Sequence, residues 1–545
     1  MRRALVIAAM AVFAGFGAGR AAFAQQGGYS ISGVVVNAIT GAPLDRAEVT
    51  LTTDGEDGTQ IGQGVTGEGG EFHFDGLSAG KYALQASRRG FLSAGYQEHE
   101  GGYFTAVVTG ANLASRGLRF PLTPYGAISG TVNDDNGNPV ADAQVTLFRQ
   151  DMSNGEMKVE EAENDTTDDA GGYEFARLKP GTYYVDVSAQ PWFAFRRNRV
   201  ADLSGNGGAD EQPPSPLDVA YPLTFFPNAA DSSGASPLTL NAGDRVQANF
   251  SLHSVQAIHI EVRVPMGDAR RGIEAPQLAQ EVFGAQQNAG EPIPTFDRKA
   301  GVMTFDYGSL APGHYELEQG SHGAVPMDAT SNRTLDAPSA VAATVEVSGK
   351  FAMASGGPLP EHLGAWLERT NGISARVSST VARDGSFNFS GVSAGTYGVN
   401  LSGTSGAVSV LQMAASGGEV HGNQITVASD PVLLAATVAV GAATVNGFAQ
   451  RDGKGMGGML ILLVPADANA SGELIRRDQS DSDGSFTLHN VVPGSYVLLA
   501  IENGWGLEWA KRDAVAPYLA RGLKVQVAEN QKTVNLPSAV GVQKR

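Results

Sequence analysis

The 545-residue sequence contains no cysteine and carries little positive charge. Without cysteine, the chain has no disulfide, no thiol catalysis, no thiolate metal site and no lipid-modified cysteine. Only 38 lysines and arginines stand against 56 aspartates and glutamates, which gives a net charge of −18. Because nucleic-acid binding needs a cationic surface against the phosphates, the composition predicts no nucleic-acid partner.

The residue spacings that metal sites and hydrolases need are also missing. No two of the nine histidines lie three or four residues apart, so we expect no metal and no cofactor. Residues 76–80 and 391–395 match the Gly-x-Ser-x-Gly pattern of hydrolases. Both stretches occupy the turn of a repeat and precede a predicted strand, whereas a nucleophile elbow precedes a helix. We therefore predict no catalytic residue and no enzyme.

Long apolar runs are absent except at the N-terminus. Two arginines precede an apolar run over residues 4–19, and a small-x-small triplet follows at residues 22–24. This pattern is typical of a cleaved secretory signal peptide. We expect residues 1–24 to direct export to the periplasm, the cell surface or the extracellular space, and we expect no transmembrane segment in the mature chain.

Glycine is abundant, at 70 residues, about 13% against a usual share of roughly 7%. Some of these glycines belong to a pattern that occurs five times, aromatic-x-apolar-x-x-Leu/Val-x-x-Gly-x-Tyr. The copies end at Tyr82, Tyr183, Tyr315, Tyr397 and Tyr496. Their spacings of 101, 132, 82 and 99 residues suit one small β-sandwich per repeat.

Each part of the repeat has a physical role in a strand-turn-strand unit. The alternating apolar residues face one side of a strand. The glycine lies in the short connection, where it permits a positive φ. The tyrosine opens the next strand, where its ring can pack inward and its hydroxyl can bond to nearby backbone.

A second block opens the first two repeats and carries a family resemblance. It combines Ile-Ser-Gly, a Gly-x-Pro turn and Ala-x-Val-Thr-Leu, at residues 31–51 and 128–147. Followed by the tyrosine pattern, this order resembles the carboxypeptidase regulatory-like domain, a prealbumin-like β-sandwich related to Cna-B-type modules and grouped with carbohydrate-binding-like folds. The resemblance implies an all-β chain and carbohydrate as ligand class, and it implies no peptidase chemistry.

The predicted architecture is a tandem array of about five small antiparallel, Ig-like β-sandwiches, arranged as a rod or bent string. The third and fourth copies are degenerate. The expected domains are residues 27–122, 123–252, 253–348, 349–429 and 430–540.

Aromatic residues in loops are the best candidates for ligand contacts. Trp192 and Tyr221 belong to one aromatic-rich stretch, and Trp505 and Trp509 follow the last repeat. Exposed flat rings could stack on sugars. Alternatively, the same rings could seal the ends of sandwiches or the joints between domains.

We therefore expect a non-catalytic, extracytoplasmic binding or structural protein. Carbohydrate binding through the four loop aromatics is the leading hypothesis, with polysaccharide as the partner. The alternative is an adaptor that contacts other envelope proteins through loops or an exposed sheet edge.

Overall fold

The computed structural model describes residues 28–55, 58–99, 102–194, 215–265, 275–297, 300–319, 322–336, 343–370, 376–403 and 407–545. The expected signal peptide lies outside this part of the chain. The described residues form 45 strands and one α-helix, which build successive two-sheet sandwiches. The prediction of an all-β tandem array is confirmed.

Domain 1 packs two sheets around one apolar core. Strands β4, β1 and β8 form one sheet, and β3, β2, β5 and β6 form the other, with β7 beside β5. The strands are β1 Tyr29–Asn37, β2 Glu48–Thr53, β3 Gln60–Val65, β4 Glu71–Leu77, β5 Gly80–Ser87, β6 Ala94–Gly95, β7 Val107–Thr109 and β8 Leu118–Leu122.

Domain 2 repeats this plan with additional late strands. Its strands are β9 Gly126–Asp134, β10 Gln144–Ser153, β11 Glu156–Thr166, β12 Gly172–Leu178, β13 Gly181–Ser188, β14 Val219–Ala220, β15 Thr224–Phe225, β16 Leu238–Leu240, β17 Arg245–Gln247, β18 Phe250–Leu252 and β19 Val255–Gln256. A 3-10 turn covers Ser232–Gly234. The pair β14–β19 stands apart from both sheets and leads into domain 3.

Domains 3 and 4 are the shorter copies. Domain 3 contains β20 Ile258–Pro265, β21 Gln277–Val282, β22 Ala285–Asn288, β23 Ile293–Asp297, β24 Val302–Leu310, β25 Gly313–Gln319, β26 His322–Ala329 and β27 Arg333–Asp336. Domain 4 contains β28 Thr344–Met353, β29 Gly364–Arg369, β30 Arg376–Thr380, β31 Ser386–Ser393, β32 Gly395–Ser402, β33 Ala407–Ser416, β34 Gly418–His421, β35 Gln424–Val427 and β36 Val432–Gly441.

Domain 5 joins its strands into one continuous sheet system and adds the helix. Its strands are β37 Ala443–Arg451, β38 Lys454–Gly455, β39 Leu460–Pro465, β40 Arg476–Gln479, β41 Ser485–Val491, β42 Gly494–Glu502, β43 Leu523–Val527, β44 Thr533–Asn535 and β45 Val540–Lys544. Helix α1 covers Arg512–Leu519, and 3-10 turns cover Gly472–Leu474 and Gly504–Gly506.

The repeat tyrosines make the same hydrogen bond in all five domains. Each hydroxyl donates to the carbonyl oxygen four residues upstream, at distances of 2.5–3.1 Å. The rings are buried. The motif therefore builds the same corner in each sandwich from residues that are close in sequence, as the sequence predicts.

The two sequence blocks meet across one strand pair. In domain 2, Gly130 lies opposite Tyr173 in the register. A Cβ on Gly130 would stand 1.9 Å from the Ala248 oxygen and 2.9 Å from the Tyr173 ring. The glycine therefore leaves room for the ring and for a neighbouring strand that runs parallel to the first. In domain 3, Val262 takes the glycine's place opposite Phe305, so this degenerate copy lacks the glycine.

The predicted boundary between the last two domains needs correction. Strand β36 lies within residues 430–540, the range predicted for domain 5, but it pairs with β28 and β33 of domain 4. The parallel contact between first and last strands recurs in every domain, so each sandwich needs a late strand. At the other end, β45 extends domain 5 to Lys544.

The rod or bent string is also corrected. Domains 1 and 2 both contact domain 5, because Gln97 and Thr105 of domain 1 bond to Gln479, and Met157 of domain 2 bonds to Glu508. The chain therefore folds back so that its last sandwich meets its first two.

Candidate functional site

The structure exposes one of the four aromatic residues predicted to bind ligand. Trp192 is 85% exposed, whereas Tyr221, Trp505 and Trp509 are 7–8% exposed. A sugar can stack only on an accessible ring face, so the expectation of open platforms is wrong for the last three. Their burial agrees with the alternative expectation, that the aromatic rings fill cores and seal joints.

The structure separates Trp192 from Tyr221, the two residues of the first predicted aromatic cluster. Tyr221 belongs to the core of domain 2. The Trp192 ring contacts Phe193 edge to face, with centroids 5.7 Å apart. The neighbouring Phe195, Arg196 and Arg197 lie outside the described residues.

Trp505 and Trp509 cover the second face of a domain 5 sheet. Strand β39 is buried at all six positions, because one face packs on the sandwich core and the other on a second apolar cluster. That cluster contains both tryptophans together with Leu460, Leu462 and Val515. The loop after β42 and helix α1 therefore form a third layer over domain 5.

Trp505 reaches from this layer into domain 1. Its ring stacks on His99, with centroids 4.9 Å apart and an 8° interplanar angle, and it also meets Tyr103. Its indole N–H donates to the Gly458 oxygen at 3.3 Å. Burial lowers the pKa of His99, which favours a neutral imidazole in the stack.

Trp509 faces both domain 2 and domain 1. A Cβ on Gly155, at the turn between β10 and β11, would stand 2.5 Å from the indole. On another side, the Arg477 guanidinium lies 4.9 Å from the centroids of both Trp509 and Tyr103. Arg477 therefore joins two aromatic rings of different domains through cation–π contacts.

Hydrogen bonds complete the joint between domains 1 and 5. The Gln479 amide donates to the Gln97 oxygen and the Thr105 hydroxyl, both at 2.8 Å. The Gln479 oxygen lies 2.9 Å from the His99 Nδ1. Both the nitrogen and the oxygen of the Gln479 side-chain amide thus hold the domain 1 loop on the edge strand β40.

Beside Gln479, the loop after β40 makes a second set of contacts. The Ser482 N–H donates to the Ala106 oxygen at 3.0 Å, and its hydroxyl accepts the Val108 N–H at 2.8 Å. Lys81 forms an ion pair with Asp481, whose side chain is largely buried. Such backbone and charged contacts fix the relative position of the two domains.

A cleft of about 340 Å³ opens at this joint. Its walls are Tyr103, Ile475, Arg476, Arg477, Asp478, Thr487, His489 and Trp509. Aromatic edges, a guanidinium, a carboxylate and a hydroxyl therefore converge on one volume. A larger groove of about 530 Å³, near Arg451 and Lys544, has no aromatic lining.

The charged and titratable groups of the cleft differ in how available they are to a ligand. Arg476 is committed to the backbone oxygens of Asn490 and Glu473. Asp478 accepts the Thr487 N–H at 2.7 Å, and burial raises the pKa of Asp478 to about 6. His489 is exposed, so it can meet a ligand directly.

Sequence reasoning found Trp505 and Trp509 but missed the residues that join the domains. Gln479, Asp481 and Ser482 form no motif, because their partners lie almost 400 residues away in domain 1. One signal was present in the sequence. The unbroken apolar run Leu460–Val464 differs from an alternating strand and indicates burial on both faces.

The two hydrolase-like patterns are turns, as predicted. Residues 78–79 connect β4 to β5, and Ala394 connects β31 to β32. The Ser78 oxygen accepts the Tyr82 hydroxyl, and Ser393 is buried against Tyr397. A strand follows each serine, so neither has the strand-to-helix elbow geometry.

Two further features are absent from the described residues, a metal-ligand cluster and a membrane-spanning helix. In the described ranges, no three histidine, cysteine, aspartate or glutamate side chains are placed to hold a metal ion. Within that same part of the chain, no helix has the length and apolar character needed to cross a membrane.

Solved structures of similar fold are distant. The chain resembles the Bacillus anthracis TIE protein at 8% identity, covering 94% of this chain and 73% of that one, with a TM-score of 0.17. It resembles the Streptococcus agalactiae minor pilin GBS52 at 13% identity (42% and 96% covered, TM-score 0.20). The Lactobacillus rhamnosus GG shaft pilin SpaA matches at 9% identity (41% and 95%, TM-score 0.19). Likenesses this distant carry no functional information.

Sequence comparison gives a sharper result for the first two domains. No curated protein matches the chain. The model of the carboxypeptidase regulatory-like domain matches residues 30–109 and 127–202. These ranges contain the Ile-Ser-Gly block and the tyrosine corner of β-sandwiches 1 and 2. Each of the first two sandwiches is thus similar in sequence to the carboxypeptidase regulatory-like domain.

Proposed function

We propose that this protein is an exported, non-catalytic binding protein that takes carbohydrate in the cleft between domains 1 and 5. The supporting observation is the composition of that cleft. Tyr103 brings a half-buried ring to it beside the edge of the buried Trp509, and Arg477, Thr487 and His489 bring hydrogen-bonding groups. Ligand sites commonly combine an apolar wall with a few placed polar groups.

Domain docking is part of this proposed mechanism. Tyr103 comes from domain 1, whereas the other residues that line the cleft come from domain 5. The aromatic wall is complete when the domain 1 loop lies on β40. The joint would therefore pre-organise the site, which lowers the ordering cost of binding.

Direct binding measurements test the proposal. Full-length protein is titrated with a panel of neutral and uronate-containing polysaccharides. The double variant Thr487→Val, His489→Ala removes two polar groups of the cleft and leaves Trp509 in place. We expect an affinity loss of about tenfold or more, since each net hydrogen bond contributes roughly 1 kcal/mol.

His421→Ala is the matched control, because His421 is an exposed histidine of domain 4. It should bind like the wild type. Equal affinity of the double variant and the control, or binding to no polysaccharide in the panel, contradicts the proposal.

A second candidate function is adhesion to another protein through a sheet edge. Strand β11 has 11 residues, nearly all exposed, and among the described strands it pairs with β10 alone. An edge of that length offers backbone groups for strand addition. Hydrogen exchange during incubation with an envelope extract would show new protection confined to β11; unchanged exchange there argues against this candidate.

A further inference from the structure

The joint between domains 2 and 3 contains a small bridging sheet and an aromatic cluster. Strands β14 and β19 pair beside the joint, and Ala257 donates its N–H to the Asp218 oxygen at 2.8 Å. On the other side, Phe283 of domain 3 contacts Phe148 and Phe225 of domain 2. Two titratable groups are buried in this joint, and neither belongs to the cleft described above.

The first is His259, at the start of β20. Its Nε2 lies 3.1 Å from Asp218 Oδ2 of domain 2, and its Nδ1 lies 3.3 Å from Asp306 Oδ1 on β24. Side-chain exposure is 8% for His259, 11% for Asp218 and 3% for Asp306. The backbone N–H of His259 donates to the neutral Asn332 side chain, which precedes β27.

This geometry favours a charged imidazole over a neutral one. A neutral ring has one N–H donor, whereas an imidazolium has two. With carboxylates at both nitrogens, loss of the proton would set a nitrogen lone pair against a buried carboxylate oxygen. Protonated His259 therefore ties Asp218 of domain 2 to Asp306 of domain 3, and neutral His259 can hold only one of them.

The second group is Asp186 on β13, which is fully buried. Among the described residues, neither of its oxygens has a hydrogen-bond partner. Its polar neighbours are Thr146 of β10 and Gln287 of β22 in domain 3, and the charged group facing it is Glu161 of β11. The Gln287 Oε1 is also buried without a partner in this part of the chain.

A proton on Asp186 would resolve this shortage of donors. Two buried acceptors, the Asp186 carboxylate and the Gln287 oxygen, lie at the same joint. A protonated carboxyl supplies an O–H donor and removes a buried negative charge near Glu161. Ionised Asp186 would leave a buried charge near Glu161, with only weak hydrogen bonding from Thr146 and Gln287 to offset it.

We propose that the joint between domains 2 and 3 is pH-sensitive, held closed in mild acid and loosened in mild alkali by loss of protons from His259 and Asp186. Both groups act in the same direction because each stabilises the joint only in its protonated form. The observations are independent, since one is an ion bridge and the other an unpartnered buried acid.

The direction of each pKa shift gives the pH window. Hydrogen bonding to Asp306 raises the pKa of His259 above its usual 6.5, so its contribution is complete below pH 6.5 and is lost as pH rises through the folded-state value. Burial raises the pKa of Asp186 to about 7 from 3.8. Its contribution falls as pH rises from 3.8 to 7.

Hydrogen exchange of the full-length protein at pH 5.5 and 8.5, expressed as protection factors, tests the proposal. Protection of residues 215–220 and 277–288 should fall at least about tenfold at the higher pH, since one pKa unit corresponds to a factor of ten. Core strands of domain 4 serve as the internal reference and should change little.

Variants separate the two groups. His259→Gln should lower protection at pH 5.5, and Asp186→Asn, a neutral isostere, should preserve more of the protection at pH 8.5. His314→Gln is the matched control, because the exposed His314–Asp328 pair of domain 3 lies outside the joint. Wild-type protection that is equal at both pH values, or variants that retain the full wild-type pH dependence, overturns the proposal.

Discussion

The joint between domains 1 and 5 and the joint between domains 2 and 3 are built from different chemistry. The first relies on an aromatic stack, neutral hydrogen bonds to Gln479 and an ion pair. The second buries a histidine between two aspartates and an acid without a partner. One joins domains that are distant in sequence; the other joins neighbours.

Sequence separation explains the contrast. Domains 2 and 3 are linked by a few residues, so their effective concentration is high and weak contacts are enough to keep them together. Domains 1 and 5 are separated by more than 300 residues and must hold each other by well-satisfied contacts. The neighbouring pair can therefore tolerate a joint whose contacts weaken as pH rises.

The two joints also differ in how the pH dependences of their titrating groups combine. In the distant joint, burial lowers the pKa of His99 but raises the pKa of Asp481. The His99 contribution is lost as pH falls and the Asp481 contribution is lost as pH rises, so the two oppose each other. In the neighbouring joint, the groups act together. Protection should consequently vary less with pH at residues 104–108, on the domain 1 side of the distant joint, than at β14.

The largest effect is expected when the aromatic layer of the distant joint is broken. Trp505→Ala removes a buried ring that packs on domain 5 and stacks on His99. Truncations of this kind cost about 3–5 kcal/mol. Hydrogen exchange of β39 and β42 in the full chain should report a loss of this size, and a change below 1 kcal/mol would show that the layer is dispensable.

A smaller effect is expected where domain 2 meets Trp509. Gly155→Ala adds a Cβ 2.5 Å from the indole at a residue with φ +84°. We expect a loss of about 1–3 kcal/mol from clash and backbone strain together, visible as faster exchange at residues 507–512.

Gly137→Ala is the matched control for that substitution. It has a similar φ of +80° but nothing within 4 Å of the new Cβ. It should show the backbone cost of about 1 kcal/mol alone and leave residues 507–512 unchanged. Equal effects of the two alanines would mean that the contact with Trp509 contributes nothing.

The ion pair of the distant joint should contribute less. Lys81→Met leaves the mostly buried Asp481 without its cation, but Lys81 itself is 36% exposed, so solvent screening reduces the cost to about 1–2 kcal/mol. Exchange should rise at residues 104–108 and 479–483 while residues 215–220 remain unchanged. A parallel rise at 215–220 would mean that the two joints are coupled.

Much of the fold, and little of the site, could be predicted from the sequence. The tyrosine corner is encoded within 11 consecutive residues, so Tyr82 and its four equivalents could be placed by pattern alone. The sequence-based boundaries place Val432–Gly441 in domain 5, whereas this strand is the last one of domain 4. It pairs with a strand about 85 residues upstream. No local pattern marks such a pairing.

The candidate site depends on contacts over still longer distances. His99 and Trp505 meet across about 400 residues, and nothing beside either residue indicates the other. The sequence leaves open whether the tryptophans face solvent or seal a joint. The unbroken apolar strand β39 instead provides a second hydrophobic face that they cover, which is a property of the folded sheet.

The smallest effect is expected at Trp192, and it separates the exposed aromatic from the buried ones. Because Trp192 is 85% exposed, Trp192→Ala should change the unfolding free energy by no more than about 0.5 kcal/mol. Since Trp192 does not line the cleft, polysaccharide binding should also keep its wild-type affinity. If Trp192→Ala abolishes binding while the Thr487→Val, His489→Ala double variant retains it, the ligand binds the domain 2 loop, and the joint between domains 1 and 5 is structural alone.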